Sequence, residues 1–373
     1  MKTVLFYHSL VSAWNHGNAH FLRGIATELQ EQGHSVEIYE PENGWSYRNM
    51  LKDEGEEGLA SFMKAFPHLK STFYNPATIN LEKVLKNADL VIVHEWTDPE
   101  LVNRIGQLRQ QADFALLFHD THHRAVSKPE EMQRYDLSHY DGALVFGESL
   151  KKVYHRHNWA KNVWVWHEAA DTRTFKPVEA RPEASRDGDL VWVGNWGDGE
   201  RSDELREFIL EPVEQLGLSA MMYGVRYPDQ ALQNLEGASI GYGGYLPSHK
   251  VPGVFARYRF TVHVPRCFYR EQLPGIPTIR PFEALACRIP LICASWQDSE
   301  GLFEPGKDFL MVNDGKEMKE AVQELLHYPE KAEALAAHGY KTLQKRHTCA
   351  HRVKELLQIV EGLHQHGAPA SAI

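Results

Sequence analysis

Arg280 and Glu283 lie three residues apart in Leu273–Ala294, LPGIPTIRPFEALACRIPLICA, where three prolines and a glycine between Pro274 and Pro281 give way to helical spacing and an apolar run. The free amides that open a helix favour an anion, so the backbone at Thr278 and Ile279 suits a pyrophosphate. A guanidinium at Arg280 beside such a site has an obvious use. Pro281 suits the first helical position, where a missing N–H costs nothing. Glu283 then falls in the first turn. There its carboxylate either accepts both hydroxyls of a ribose or complements the helix dipole, worth about 0.3–1 kcal/mol.

Two further stretches place polar groups where a strand meets a loop. HSLVSAWNHGN (His8–Asn18) carries His16 and Gly17 and exceeds the usual βα loop of about 2–6 residues. It is either a ligand loop, with Gly17 letting backbone approach closely, or a plain Ω-loop. The dinucleotide fingerprint GxGxxG is absent here, and in GNWGDGER the glycines Gly194, Gly197 and Gly199 are wrongly spaced for it. In FHDTHH, His119 and Asp120 end a buried strand, the end that faces ligand in an open α/β sheet. A strand-terminal histidine satisfied by backbone is the plainer reading. A metal held by His119, His122 and His123 is a third, without an evident carboxylate set. His94 and Glu95 in VIVHEW stand equivalently one strand earlier.

These groups need a scaffold, and the hydrophobic pattern supplies one. KTVLFYH reads as a strand, NAHFLRGIATELQEQGH as a helix with Phe21, Leu22, Ile25, Ala26 and Leu29 on one face and Gly33 as its stop, and SVEIYEP as the next strand. That βαβ unit implies a parallel sheet with right-handed crossovers. The alternation continues to KNVWVWHEA, pauses in the polar VEARPEASRDGD of residues 178–189, and restarts at LVWVGNW. A helix from Ser202 to about Leu216 and C-terminal helices over 316–328 and 330–363 follow. The expected fold is α/β, two Rossmann-like domains facing across a cleft: 1–177, a linker at 178–189, 190–346, and a helix and tail at 347–373 that packs back on the first domain.

Composition narrows the class. At 373 residues, 43% hydrophobic and 24% charged, this is a globular chain of two domains' length. A formal net charge of −10 opposes non-specific nucleic-acid binding. No stretch approaches the roughly 20 apolar residues of a membrane span, and MKTVLFYHSL breaks too early for a signal peptide, so a cytoplasmic protein without transmembrane segment is expected. Cys267, Cys287, Cys293 and Cys349 form no CxxC pair, which argues against a structural zinc or a disulfide framework. ENGWSYRNMLKDEGEEG, with Trp45 and Tyr47, is either a stacking surface or a capped helix start.

Read in order, YDGALVFGESLKKVYHRH, VWVWHEAADTRTFKP with Asp171, Phe175 and Pro177, VWVGNW, and Glu283-Ala-Leu-Ala-Cys-Arg-Ile-Pro290 resemble the retaining GT-B glycosyltransferases of the family 4 type. The wording of HSLVSAWNHGNAHFLRG, VGNWGDGERSDELREF and GIPTIRPFEALA is closer to the spore-maturation CgeB-like branch. The resemblance spans most of residues 1–350 and rests on order and spacing. It implies a nucleotide-diphosphate sugar (UDP- or GDP-sugar) donor, a hydroxyl acceptor and hexosyl transfer. It further implies Glu283 on the ribose, the 275–280 amides (Gly275, Ile276, Thr278, Ile279) and Arg280 on the diphosphate, Arg201 as a basic phosphate ligand, and His119 on the transferred sugar. Asn195, Gly17 and His16 complete the expected nucleotide-sugar set. Two departures stand out: Gly275 occupies the place of the earlier glutamate, with Glu271 a candidate replacement, and Arg288 stands where glycine usually ends the helix. No metal or cofactor is expected, because arginines and a helix terminus can neutralise the leaving diphosphate and no Asp-x-Asp triplet is expected in the chain. A nucleotide-sugar epimerase or hydrolase, and a catalytically silent binding module, share the same architecture.

Overall fold

The computed structural model describes residues 1–179, 186–197 and 199–367. Residues 180–185 of the expected linker and 368–373 of the expected tail lie outside the described residues. The chain forms two compact units. Unit one comprises Met1–Ser12, Phe21–Glu168 and the helix Cys349–Gly367; unit two comprises Ala13–His20 and Ala169–Thr348.

Unit one is built on seven parallel strands: β1 (Lys2–Phe6), β2 (Ser35–Pro41), β3 (Ser71–Tyr74), β4 (Leu90–His94), β5 (Ala115–Asp120), β6 (Gly142–Val145) and β7 (Val163–Val165). Their order is β3-β2-β1-β4-β5-β6-β7, with register pairs such as Val93 to Phe118 at the centre. Every residue of β4 and β5 is buried, as strands covered on both faces must be. The helix Ala19–Glu31 turns Phe21, Leu22, Ile25, Ala26 and Leu29 fully inward. Gly33 ends it at φ 83°, a conformation that closes the last turn through His34 N–H to Leu29 O at 3.0 Å. The helix Cys349–Gly367 gives the carbonyl of Arg352 to the buried indole of Trp166 at 2.8 Å.

Unit two carries six parallel strands: β8 (Gly188–Val193), β9 (Ala220–Tyr223), β10 (Gly241–Tyr242), β11 (Tyr258–His263), β12 (Leu291–Ala294) and β13 (Leu310–Val312), ordered β10-β9-β8-β11-β12-β13. Leu190, Trp192, Phe260, Val262 and Ile292 from its central strands pack with Phe208, Ile209 and Val322 from its helices into one core.

Three expectations need correction. The helix from Ser202 is not uniform: Ser202–Leu205 passes through a π turn at Arg206–Leu210 before Glu211–Leu216. Pro212 has no N–H to give the carbonyl four residues back, and the wider turn absorbs that mismatch. The span 330–363 is two helices, Pro329–Arg346 and Cys349–Gly367, parted where His347 leaves helical geometry. There the His347 ring meets Leu302 O at 2.9 Å and its carbonyl accepts Ala170 N–H at 3.0 Å. Of the two readings of the stretch at Trp45, the helix start holds, without a side-chain cap: Trp45 opens a helix, Trp45–Ala65, interrupted at Gly55 (φ 61°). The strands β3, β10 and β13, absent from the sequence reading, are all sheet edges. Covered on fewer sides, they lack the continuous apolar runs that reveal central strands.

Candidate functional site

In unit two, β8 delivers Gly194 and Asn195, β11 delivers His263 and Val264, and the helix Ile279–Ala286 opens beside them. Arg201 stands just before the helix at Ser202, and its guanidinium reaches back into this group. Nη1 donates to Val264 O at 2.8 Å and Nη2 donates to Asn195 O. Nε is sealed from solvent and has no partner among the described residues. The guanidinium also lies 5.0 Å from the Trp192 ring centroid. Among the described residues no carboxylate is paired with it. Burial first, then the nearby Arg266 and Arg280, push its pKa down to about 9, still charged at neutral pH. Arg266 is paired to Glu200. A desolvated cation beside two others is costly unless an anion joins them.

The helix mouth differs from its sequence reading. The helix starts at Ile279, so Pro281 is its third residue and Glu283 its fifth, in the second turn. Pro281 still sits among the orphan amides and costs no helix bond. Glu283 is fully buried, with Arg280 bonded to Oε2 and His20 Nδ1 lying 2.9 Å from Oε1. Burial opposes its charge, but Arg280 and His20 together hold its pKa below the ordinary carboxylate value. Thus the two residues assigned to phosphate and ribose face each other in the ligand-free chain. Thr278 precedes the helix at φ 59°, a strained conformation for a β-branched residue, and gives the helix no side-chain cap. Its hydroxyl lies 3.4 Å from His263 Nε2. His263 is buried, its Nδ1 lacks a partner among the described residues, and burial followed by Arg201 and Arg280 lowers its pKa to about 3.

The segment Ala13–His20 closes over this group within unit two. A Cβ on Gly17 would lie 3.2 Å from Ile279 Cγ2 and 3.6 Å from Arg280 Nη2, so glycine lets the backbone lie against the helix mouth. Asn15 is bonded to Asn195, whose side-chain oxygen also accepts Val225 N–H at 3.2 Å. Asn15, His16, Asn195, Val225 and Arg280 line a cavity of about 30 Å³, room for water rather than for a nucleotide. His20 rests on Phe175 at 4.3 Å between ring centroids, and the turn bearing Phe175 is closed by its N–H to Asp171 O at 2.8 Å.

His119 belongs to unit one. It is buried among Trp166, His94 and Phe21, with ring centroids 4.9, 5.4 and 6.0 Å away. Neither ring nitrogen has a partner among the described residues, and burial drops its pKa to about 3, leaving a neutral imidazole. His123 Nδ1 meets Ser127 Oγ at 2.9 Å, and no group of three metal-ligating side chains assembles among the described residues.

Residues 201–358 match the protein family described as glycosyl transferase-like. The chain has the GT-B fold and a glycosyl transferase-like domain. Sucrose-phosphate synthase from Thermosynechococcus elongatus superposes with a TM-score of 0.67 at 17% identity, over 98% of this chain and 100% of that one. Anabaena HepE, solved with UDP and glucose, gives 0.67 at 10% identity over 97% and 99%. An α-glucosyltransferase solved with UDP and a mismatched 13-mer DNA gives 0.70 at 11% identity over 97% and 100%. No curated protein matches the chain in sequence.

Two features of this GT-B chain bear on its departures from the resembled pattern. Gly275 has φ 94°, and a Cβ there would lie 2.4 Å from Ser299 Oγ. No side chain fits that place without a shift. The Glu300 carboxylate, 3.4 Å from the same point, lies beside it, whereas Glu271 is exposed at the end of Cys267–Glu271. Arg288 does adopt left-handed geometry, at φ 55°, and is paired to Glu333. The expectation that the chain lacks an Asp-x-Asp triplet is corrected by Asp187-Gly188-Asp189, which opens β8 at the end opposite Asn195. Asp187 pairs with Arg257 at 2.8 Å and Asp189 with Arg259 at 3.3 Å. His263 and Arg266 are polar groups of the site that the sequence reading did not name, and it did not place His20 beside Glu283. For His263 the strand-end rule applied to His119 was sufficient signal.

Proposed function

We propose that the chain is a hexosyltransferase of the CgeB-like branch. Its donor is a UDP- or GDP-sugar, its acceptor carries a hydroxyl, and it acts in the cytoplasm with retention of configuration and without metal. The observation that carries this reading is Arg201, a desolvated guanidinium with no carboxylate partner among the described residues, with Arg280 near enough to depress its pKa and standing in the first turn of the helix that opens at Ile279. A diphosphate there answers all of these groups together. UDP comes first among the donors because HepE and the α-glucosyltransferase were both solved with it.

On binding, the ribose hydroxyls replace Arg280 at Glu283 Oε2, and Arg280 turns to the diphosphate. His20 keeps Oε1 throughout. Catalysis is then positioning plus stabilisation of the departing diphosphate by fixed positive groups. Arg201, Arg280 and the helix amides supply that charge, and the single Asp-x-Asp triplet is engaged with arginines at the far strand end, which supports a metal-free reaction. Retention follows the resembled pattern, which needs no general base on the acceptor hydroxyl. His119, as a neutral imidazole, contacts the transferred sugar, and Glu300 supplies the carboxylate that Gly275 cannot.

Incubation with UDP- and GDP-hexoses and an acceptor panel, in EDTA, tests the reading. Nucleoside diphosphate release with a product of the donor's anomeric configuration, followed by NMR, is expected. Loss of activity restored by Mg²⁺ or Mn²⁺ would contradict the metal-free mechanism, and an inverted product would contradict retention.

A further inference from the structure

Trp96 is one of the few large hydrophobic residues left at the surface, 39% exposed. The Arg124 guanidinium lies over its ring, 3.9 Å from the centroid, and His8 and His122 flank it at 5.9 and 5.2 Å. We propose that this Trp96 assembly is the stacking platform for a pyranose acceptor, an inference that rests on the transferase reading above.

Three observations carry it. The first is placement. His8, Trp96 and His122 each stand two residues past the C-terminal ends of β1, β4 and β5, which are adjacent in the sheet. That edge of a parallel sheet is where ligands bind.

The second is rigidity. Arg124 donates from Nη2 to Glu95 Oε2 at 3.0 Å and to Glu95 O at 2.7 Å, and Thr121 N–H donates to Glu95 Oε1 at 2.9 Å. Glu95 is fully buried. Hydrogen bonds to a fully buried residue fix the guanidinium that backs an exposed indole, which points to preorganisation of that ring.

The third is chemistry. The Arg124 cation already occupies the attraction that an indole π-face offers to positive charge, so a cationic acceptor is disfavoured. Among the described residues the Trp96 indole N–H meets no acceptor. An apolar face with an N–H and two imidazoles at its rim fits a ring with a C–H face and a hydroxyl edge. A pyranose is such a ring.

The test is an NMR titration of full-length protein labelled at the tryptophan indole nitrogens, with the Trp96 resonance assigned by its loss in Trp96→Phe. Methyl glucopyranoside, methyl mannopyranoside and methyl galactopyranoside are one set of probes, and phenol is another. A saturating shift of the Trp96 resonance by at least one pyranoside is expected, and calorimetry with that pyranoside is expected to show binding weakened at least about tenfold in Trp96→Ala. A shift with phenol alone, or with no probe, would overturn the proposal. UDP is titrated separately by thermal shift. Failure of UDP to bind counts against the donor reading, whereas UDP binding without any pyranoside effect counts against the platform alone.

Discussion

Glu283 is buried with Arg280 bonded to Oε2 and His20 Nδ1 lying 2.9 Å from Oε1, two groups that offset the cost of its charge. His20→Ala leaves Oε1 unanswered, and the expected loss of folding stability is about 1–3 kcal/mol, with weakened UDP binding. His20→Gln, which keeps a donor, is expected to recover part of both. Equal damage from the two variants, measured by denaturation and calorimetry, would show that His20 acts by packing alone. Glu300 carries a separate expectation. If its carboxylate holds the sugar, Glu300→Ala lowers kcat by roughly 10–100-fold while Glu271→Ala leaves it unchanged. The reverse ranking in steady-state kinetics would return the role to Glu271.

At the scale of elements, the loops after β4 and β5 carry a buried titratable pair. Burial, then repulsion from Asp120, raises Glu95 from an ordinary 4.5 to about 8. Between those values the folded chain holds a proton that the unfolded chain releases, so this group makes stability fall as pH rises through that window. Urea unfolding of the wild type minus that of Glu95→Gln is expected to decline from pH 5 to about 8. A flat difference would place the proton elsewhere. The central strands and the first helix were legible because burial on both faces, or on one helical stripe, writes a period into the sequence. The mouth of Ile279–Ala286 was legible in type but not in register. Proline at the first helical position is a preference, and the strained Thr278 set the start two residues earlier. His20 beside Glu283 was illegible, since tertiary contact between positions 263 residues apart leaves no local pattern.

The molecule as a whole has two parallel-sheet units, and in the second a buried guanidinium lacks a carboxylate partner among the described residues. A cavity of about 30 Å³ lies beside it, lined in part by Asn15 and Asn195, which are bonded to each other. The central claim is that a nucleoside diphosphate completes this site. Thermal shift of the wild type and of Arg201→Met with UDP, GDP, TDP and CDP tests it most directly. UDP or GDP is expected to raise the wild-type Tm, and the rise is expected to vanish or shrink severely in Arg201→Met. No stabilisation by any of the four, or an equal rise in both proteins, would contradict it.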